Sequence, residues 1–238
     1  MRYWREVLHE DVMRAHEKWL YRNRVGEGRL LLAHEVLREA RVSGMTFDYA
    51  KIEACDFDGA MIVYAHFNYC EVLDCTFIKS TLKSSRFLHA LLQRVKFDQS
   101  DLRNCWYADA RVVECTFDAT DLSEGNLVRA SVADCSFRSA LLDTQMDLGT
   151  FERCDFRGAR LSYKAYGSKF VECDLRGANV EGLRLKDTVF TRCKFSGVIG
   201  KPTIEGPLEL NEADFSSDEA PASGTSSAEQ LRALWLKT

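Results

Sequence analysis

Nine cysteines and five histidines are the side chains in this sequence best suited to hold a metal, pass electrons or attack a substrate. The thiols stand at Cys55, Cys70, Cys75, Cys105, Cys115, Cys135, Cys154, Cys173 and Cys193, and the imidazoles at His9, His16, His34, His66 and His89. Zinc and redox sites draw on Cys-x-x-Cys pairs or on His and Cys in close company. Here no Cys-x-x-Cys occurs and the histidines are scattered. The 36 carboxylates could serve as general acids or bases, but no Gly-rich phosphate loop, His-Glu-x-x-His or Gly-x-Ser-x-Gly accompanies them. They recur with Arg and Lys at a fixed spacing and read as solvated faces. The expectation is a protein that is not an enzyme, with no catalytic residue, cofactor or metal.

The elements that position these residues explain the thiols. From Val42 a large apolar residue recurs every five residues through Phe47, Ile52, Phe57 and onward to Leu142, 21 consecutive positions in one register. Two residues before each centre lies a mostly small residue, and all nine cysteines fall on that position. A small apolar thiol fits there as Ala does, which also implies a reducing compartment. A period of five matches neither a helix at 3.6 nor a strand at 2, so the chain must turn a corner with every repeat.

The units Cys55-Asp56-Phe57-Asp58-Gly59, Cys115-Thr116-Phe117-Asp118-Ala119 and Cys154-Asp155-Phe156-Arg157-Gly158 resemble the pentapeptide-repeat family over roughly residues 40–200. The resemblance implies an all-β, right-handed quadrilateral β-helix with four repeats per coil. Aromatic and aliphatic centres alternate, so like residues stack twenty apart and support four sides independently. One column is Phe57, Phe77, Phe97, Phe117, Phe137, Phe156 and Phe195; a second is Cys55, Cys75, Cys115, Cys135, Cys154, Cys173 and Cys193. The register slips by one residue after Leu142 and again after Tyr166, with Thr144 and Lys164 as poor inner partners; the columns favour two short coils over loops. About eight coils result, a rod of roughly 38 Å at about 4.8 Å per coil.

Four segments are expected. Residues 1–41 form an N-terminal helical cap and lead-in, with Trp4, Leu8, Val12, Ala15 and Trp19 on one helical stripe. Within them, residues 29–41 fit a degenerate first coil or a second helix equally well. Residues 42–200 are the β-helix. Residues 201–226 read as an acidic, Pro-containing loop, and 227–238 as a short helix presenting Leu231, Leu234 and Trp235. Exposed solenoid ends need covers. Trp4, Leu8 and Trp19 are candidate N-terminal cap contacts; Leu231, Leu234 and Trp235 either cap the other end or join two copies as a homodimer.

Composition sets the class of partner. With 36 acidic and 32 basic residues the net charge is −4, so no global field favours nucleic acid or an anionic membrane. No apolar run is long enough to span a bilayer, and the charged N-terminus lacks a signal-peptide core, so a cytoplasmic protein is expected. The resemblance implies a protein-binding module. Its best-understood members bind type II topoisomerases such as DNA gyrase and protect them from inhibitors or toxins, several by mimicking duplex DNA. Residues 97–150 hold 10 acids and 4 bases. Asp98, Asp101, Asp109, Glu114, Asp118, Asp121 and Glu124 therefore form a candidate acidic belt for partial DNA mimicry. The alternative is a scaffold or an immunity protein that neutralises a toxin.

Overall fold

The structure, a computed structural model, describes residues 4–216 together with Ala233 and Trp235. The chain forms a right-handed, four-sided β-helix of about nine turns. Each coil visits four sides in order, here numbered by their centres: first (Ile52, Val72, Leu92), second (Phe57, Phe77, Phe97), third (Ile62, Leu82, Leu102) and fourth (Phe67, Phe87, Tyr107). The first side is a ten-stranded parallel sheet. Its register pairs Ile52 with Val72 and Val72 with Leu92, twenty residues apart. Coils are joined by backbone bonds such as Phe57 N–H to Thr76 O (2.7 Å) and Thr76 N–H to Cys55 O (3.0 Å).

Sterics at the corners explain why the period is five. The residue two after each centre takes a left-handed conformation, as at Tyr49 (φ 60°), Ala54 (51°), Tyr64 (56°) and Asp74 (54°). That conformation costs a residue with a Cβ roughly 1–2 kcal/mol, and the packing on both sides of the corner over-determines it. The two positions facing inward supply the packing. Phe97 is fully buried between Phe77 and Phe117, with ring centroids 5.2 and 5.0 Å away and planes within 16°.

The small inward position selects for more than size. Ser100 Oγ donates to Phe77 O (2.6 Å), Thr120 Oγ1 to Phe97 O (2.8 Å) and Ser85 Oγ to Ile62 O (3.0 Å), each reaching the centre of the preceding coil. Cys105 Sγ meets Leu82 O in the same way at 3.1 Å and Cys75 Sγ meets Ile52 O at 3.6 Å. A thiol here fills an alanine-sized space and satisfies a weak donor. All nine cysteines are free and buried. Burial pushes the Cys70 thiol well above its ordinary range and that of Cys105 to about 12. The native protein is accordingly expected to react with few equivalents of a thiol reagent at neutral pH, and the unfolded chain with all nine. Rapid native labelling of most thiols would overturn the inward assignment.

Both register slips are short coils. Ser131 pairs with Thr150 and Thr150 with Lys169 at a spacing of 19, after which Lys169 pairs with Val189 at 20. The second slip lies one repeat earlier than the spacing suggests. Ala165, not Tyr166, points inward, while Lys164 and Tyr166 are half-exposed. Ala165 is too small to fill the centre alone, and Leu183 and Leu185 of the next coil are fully buried beside that strand. The strand Arg160–Tyr166 is seven residues long where the others have two to four, because the missing residue removes a corner and fuses two sides.

The ends also differ from expectation. Residues 31–33 pair with 51–53 and Val36 bridges Asp56, so the stretch before 42 is a degenerate coil rather than a second helix. At the other end the coil continues through 201–216. Thr203–Ile204 and Leu208–Asn211 pair in parallel with the previous turn, and Phe215 stacks on Phe195 at 4.8 Å. The acidic loop expected here is thus a further coil up to Ser216. Its prolines fit because one is buried at the turn (Pro202) and the other (Pro207) contributes a carbonyl, accepting from Thr188 N–H at 3.3 Å.

The N-terminal cap is two helices, α1 (Trp4–Val7) and α2 (Glu10–Tyr21), broken at Leu8–His9. His9 caps α2 by accepting from Asp11 N–H. The break resets the helical phase. The buried stripe of α2 is Met13, His16 and Trp19, and Val12 and Ala15 face out, contrary to the single stripe expected. Val7, Leu8 and Met13 join the coil core beside Leu30, Leu32 and Leu37. Gly28 crosses so close to α2 that a Cβ would sit 2.9 Å from Ala15 O.

His16 is fully buried and accepts Leu30 N–H on Nδ1 at 3.0 Å. Burial lowers its pKa below 6.5, outweighing the opposing pull of Asp48 and Glu17. The folded cap therefore binds fewer protons than the unfolded chain at mildly acid pH. Its contribution to stability is complete above about pH 6.5 and is lost as pH falls through the folded pKa. Native protein is expected to lose more melting temperature between pH 7.5 and 5 than His16→Asn, read by Trp19 fluorescence. Equal losses would refute the assignment.

Candidate protein-binding surface

Outward residues stack in columns, and these columns consume most of the surface charge. At the corner between first and second sides, Arg94 forms a two-pronged bond to Asp74 (2.6 and 2.8 Å) and lies 3.5 Å from Glu114. Further along the same corner, Arg153 pairs with Asp134 and Arg192 with Glu172, each at 2.6 Å. On the second side Asp155 lies between Arg138 (2.5 Å) and Arg157 (2.6 Å). Partial burial raises its pKa, and the arginine bonds override this and hold it down to about 2.

The acidic belt read from the sequence does not form one face. Five residues advance the chain by a quarter turn, so neighbours in sequence lie on different sides. Asp98 and Asp118 are on the second side, Asp101 and Asp121 on the third. Asp109, Glu114 and Glu124 occupy three different corners. Most are also spent within the coil. Asp98 accepts from Thr116 Oγ1 and Asp118 N–H, both at 2.9 Å, and Asp118 accepts from Arg138 N–H at 3.0 Å and from the Ser136 hydroxyl. Asp101 is paired with Arg103, which is also 3.8 Å from Asp121, and Asp109 is paired with Arg129. The arginines hold the Asp101 and Asp109 carboxyls below their usual range. Glu124 alone of the seven has a side chain that makes no hydrogen bond or ion pair among the described residues.

Outward aromatics, by contrast, gather on one side. In residues 42–200 every Tyr or Trp turned outward lies on the fourth side or its two corners. Tyr49, Tyr69 and His89 stack down one corner with centroids 4.8 and 4.7 Å apart, and Arg24 lies 4.2 Å over Tyr49. Tyr64 and Tyr163 mark the other corner, 60% and 47% exposed, and Trp106 stands between on the face, 44% exposed. Tyr166 donates to Glu205 on the same side. Sequence reasoning missed this face. Its one clear signal is Trp106, which occupies the outward place just before the Tyr107 centre. Tyr163 was hidden by the register slip.

A cleft of about 370 Å³ opens beside Trp106, lined by Asn104, Glu124, Gly125, Asn126, Asp143, Gln145 and Tyr163. The first slip makes it. Asp143 is followed directly by the buried Thr144, so this coil lacks the corner residue that Asn104 and Glu124 supply above. Gly125 is required at the small inward position there, since a Cβ would lie 2.9 Å from Thr144 Oγ1.

The other candidates fall as follows. The Phe and Cys columns are buried throughout. Leu8 and Trp19 are buried in the N-terminal cap, and Trp235 is fully buried against Phe190, Phe195 and Phe215. The side chain of Trp4 and residues Leu231 and Leu234 lie outside the described residues. Among the described residues no group of three or more His, Cys, Asp or Glu could hold a metal ion, and no helix is long and apolar enough to cross a membrane.

Residues 50–127 match the family described as a pentapeptide repeat region, and residues 168–199 match pentapeptide repeats (8 copies). No curated protein matches the chain. Among solved structures, HetL, a pentapeptide repeat protein involved in heterocyst differentiation regulation from the cyanobacterium Nostoc, is similar over 79% of this chain and 90% of its own, with a TM-score of 0.52 and 15% identity. QnrB1, a plasmid-mediated fluoroquinolone resistance protein, aligns over 76% of this chain and 89% of its own, with a TM-score of 0.27 and 18% identity. The first likeness is one of fold, and the second superposition is too loose to carry an argument.

Proposed function

We propose, from the premise that this chain belongs to the pentapeptide-repeat family, that it is a non-catalytic module that docks a protein partner through the fourth side of its coil. The observation that carries this reading is the gathering of Tyr64, Tyr69, Trp106 and Tyr163 on that side, each more than two-fifths exposed. Exposed aromatics are costly in water and supply most of the binding energy where they are found at interfaces. The paired charges elsewhere give solubility and little else. In an affinity capture, Trp106→Ser with Tyr64→Ser is expected to lose the partner, while Arg111→Ser on the first side retains it. Loss by the first-side variant alone would place the interface elsewhere.

The narrower reading makes the partner a type II topoisomerase such as gyrase, shielded from an inhibitor or toxin; the alternative is a scaffold or immunity role with another protein. Support for the narrower reading is the family resemblance and the rod form. The dispersed acidic residues count against DNA mimicry as its means. Purified chain added to a gyrase supercoiling reaction, with and without a quinolone, decides between them. Altered supercoiling or cleavage supports the topoisomerase; no effect on gyrase or topoisomerase IV supports the alternative.

A further inference from the structure

The cleft at the first short coil sets two unpaired carboxylates beside outward aromatic rings. Glu124 and Asp143 make no side-chain hydrogen bond or ion pair among the described residues, on a rod where most carboxylates near an arginine are paired to it. Gln145 gives one amide N–H to Asp147 (2.6 Å), which leaves its second N–H and its carbonyl oxygen free. Asn126 accepts Val128 N–H at 2.9 Å on its carbonyl oxygen, so its amide nitrogen stays free to donate. Neutral donors and acceptors both remain in the cleft, but its unused charge is all acceptor, the carboxylates of Glu124 and Asp143. Trp106 and Tyr163 stand at the two ends of the cleft, three coils or about 14 Å apart at about 4.8 Å per coil.

A ligand that donates to both carboxylates, carries positive charge and stacks on aromatic faces matches this set. A guanidinium has five N–H donors, no acceptor and a planar face. A hydroxyl-rich sugar could use the same neutral groups but carries no charge for the two carboxylates to pair with. The chain itself already places cations on both aromatic walls: Arg86 lies 5.7 Å over the Trp106 ring, and Lys164 Nζ lies 5.4 Å from that of Tyr163. We infer that the corner missing from this coil creates a socket for an arginine side chain of the protein partner, with Glu124 and Asp143 receiving the guanidinium and Trp106 stacking against it. This rests on the protein-binding reading above and names the chemistry its partner must present.

The test is a titration of 15N-labelled full-length chain with the peptide acetyl-Gly-Arg-Gly-amide and its citrulline isostere, which has the same shape and no charge. The Trp106 indole and the Asn126 and Gln145 amide resonances are expected to shift with the arginine peptide, less so as salt rises. Binding of the citrulline peptide, and of arginine peptide to Glu124→Gln with Asp143→Asn, is expected to weaken by about tenfold or more, as for loss of a charge-assisted pair. Asp187→Asn, an exposed carboxylate elsewhere, is expected to bind as native. An unchanged melting temperature of the double variant excludes misfolding as the cause. Absent shifts, equal affinity for citrulline, an unaffected double variant, or tighter binding of a neutral hexasaccharide would each overturn the socket. If the socket fails while Trp106→Ser with Tyr64→Ser still loses the captured partner, the fourth-side reading stands; loss of both removes the reading itself.

Discussion

Phe97→Ala lowers the unfolding free energy by about 3–5 kcal/mol, near the top of the range for one buried aromatic. Phe97 has no exposed surface and is held face to face by Phe77 and Phe117 and edge-on by Phe87 at 6.4 Å. Those neighbours are fixed by parallel backbone bonds above and below, such as Phe97 N–H to Thr116 O at 2.7 Å and Lys96 N–H to Cys75 O at 3.0 Å. The coil cannot collapse into the vacated volume without breaking that ladder, so the cavity term is paid nearly in full. Denaturant melts measure it. A loss below about 1 kcal/mol would show that the column relaxes and that the stacking is not what holds the centre of the rod.

The second large effect is at the C-terminal end. Trp235 is fully buried, 5.0 Å from Phe195 and 6.1 Å from Phe190, and covers the last rungs of two aromatic columns. Trp235→Ala exposes Phe190, Phe195 and Phe215 and costs about 3 kcal/mol or more of end stability. Sedimentation is expected to show concentration-dependent self-association of the variant, since newly exposed aromatic surface associates with another copy. The competing reading assigns this helix to a dimer contact. It requires a dimeric parent that becomes a soluble monomer with unchanged melting when Trp235 is lost, and that outcome would overturn capping. A side chain already buried within one chain has no area left to offer a second copy.

The repeat region was legible because its inward positions pass a strict volume filter. Only Phe, Leu, Ile, Val, Tyr or Met fits a centre, and only Ala, Cys, Ser, Thr, Gly or the occasional larger residue fits two places before it. Twenty-residue columns then follow from four corners per coil. Legibility failed where one residue depends on another coil. Ala165 makes a poor centre by composition, and Leu183 and Leu185 from the next turn are buried beside it. The last coil was hidden because Pro202, Pro207 and a run of acids suggested a loop, although Leu208, Leu210 and Phe215 keep the inward rhythm. The helical stripe failed for a local reason, the break at His9. The acidic residues are spread around the rod because closeness in sequence is no guide to a shared side when every fifth residue turns a corner. The cleft could not be read at all, since it consists of a residue that is missing.

Parallel pairing at a constant offset of about twenty residues has a consequence for how the chain acquires its shape. Val72 meets Ile52 and Leu92, and nothing in the ladder between residues 31 and 211 reaches much further along the chain. Scaled to 238 residues, that separation is about 0.08 of the length, a value typical of helical bundles rather than of β proteins. Each new coil closes the same short loop against a template that already exists, so the entropy of closure is met in equal small steps. Assembly then proceeds as a zipper from whichever coil forms first, and its rate is set by a nucleus of two turns rather than by the size of the protein.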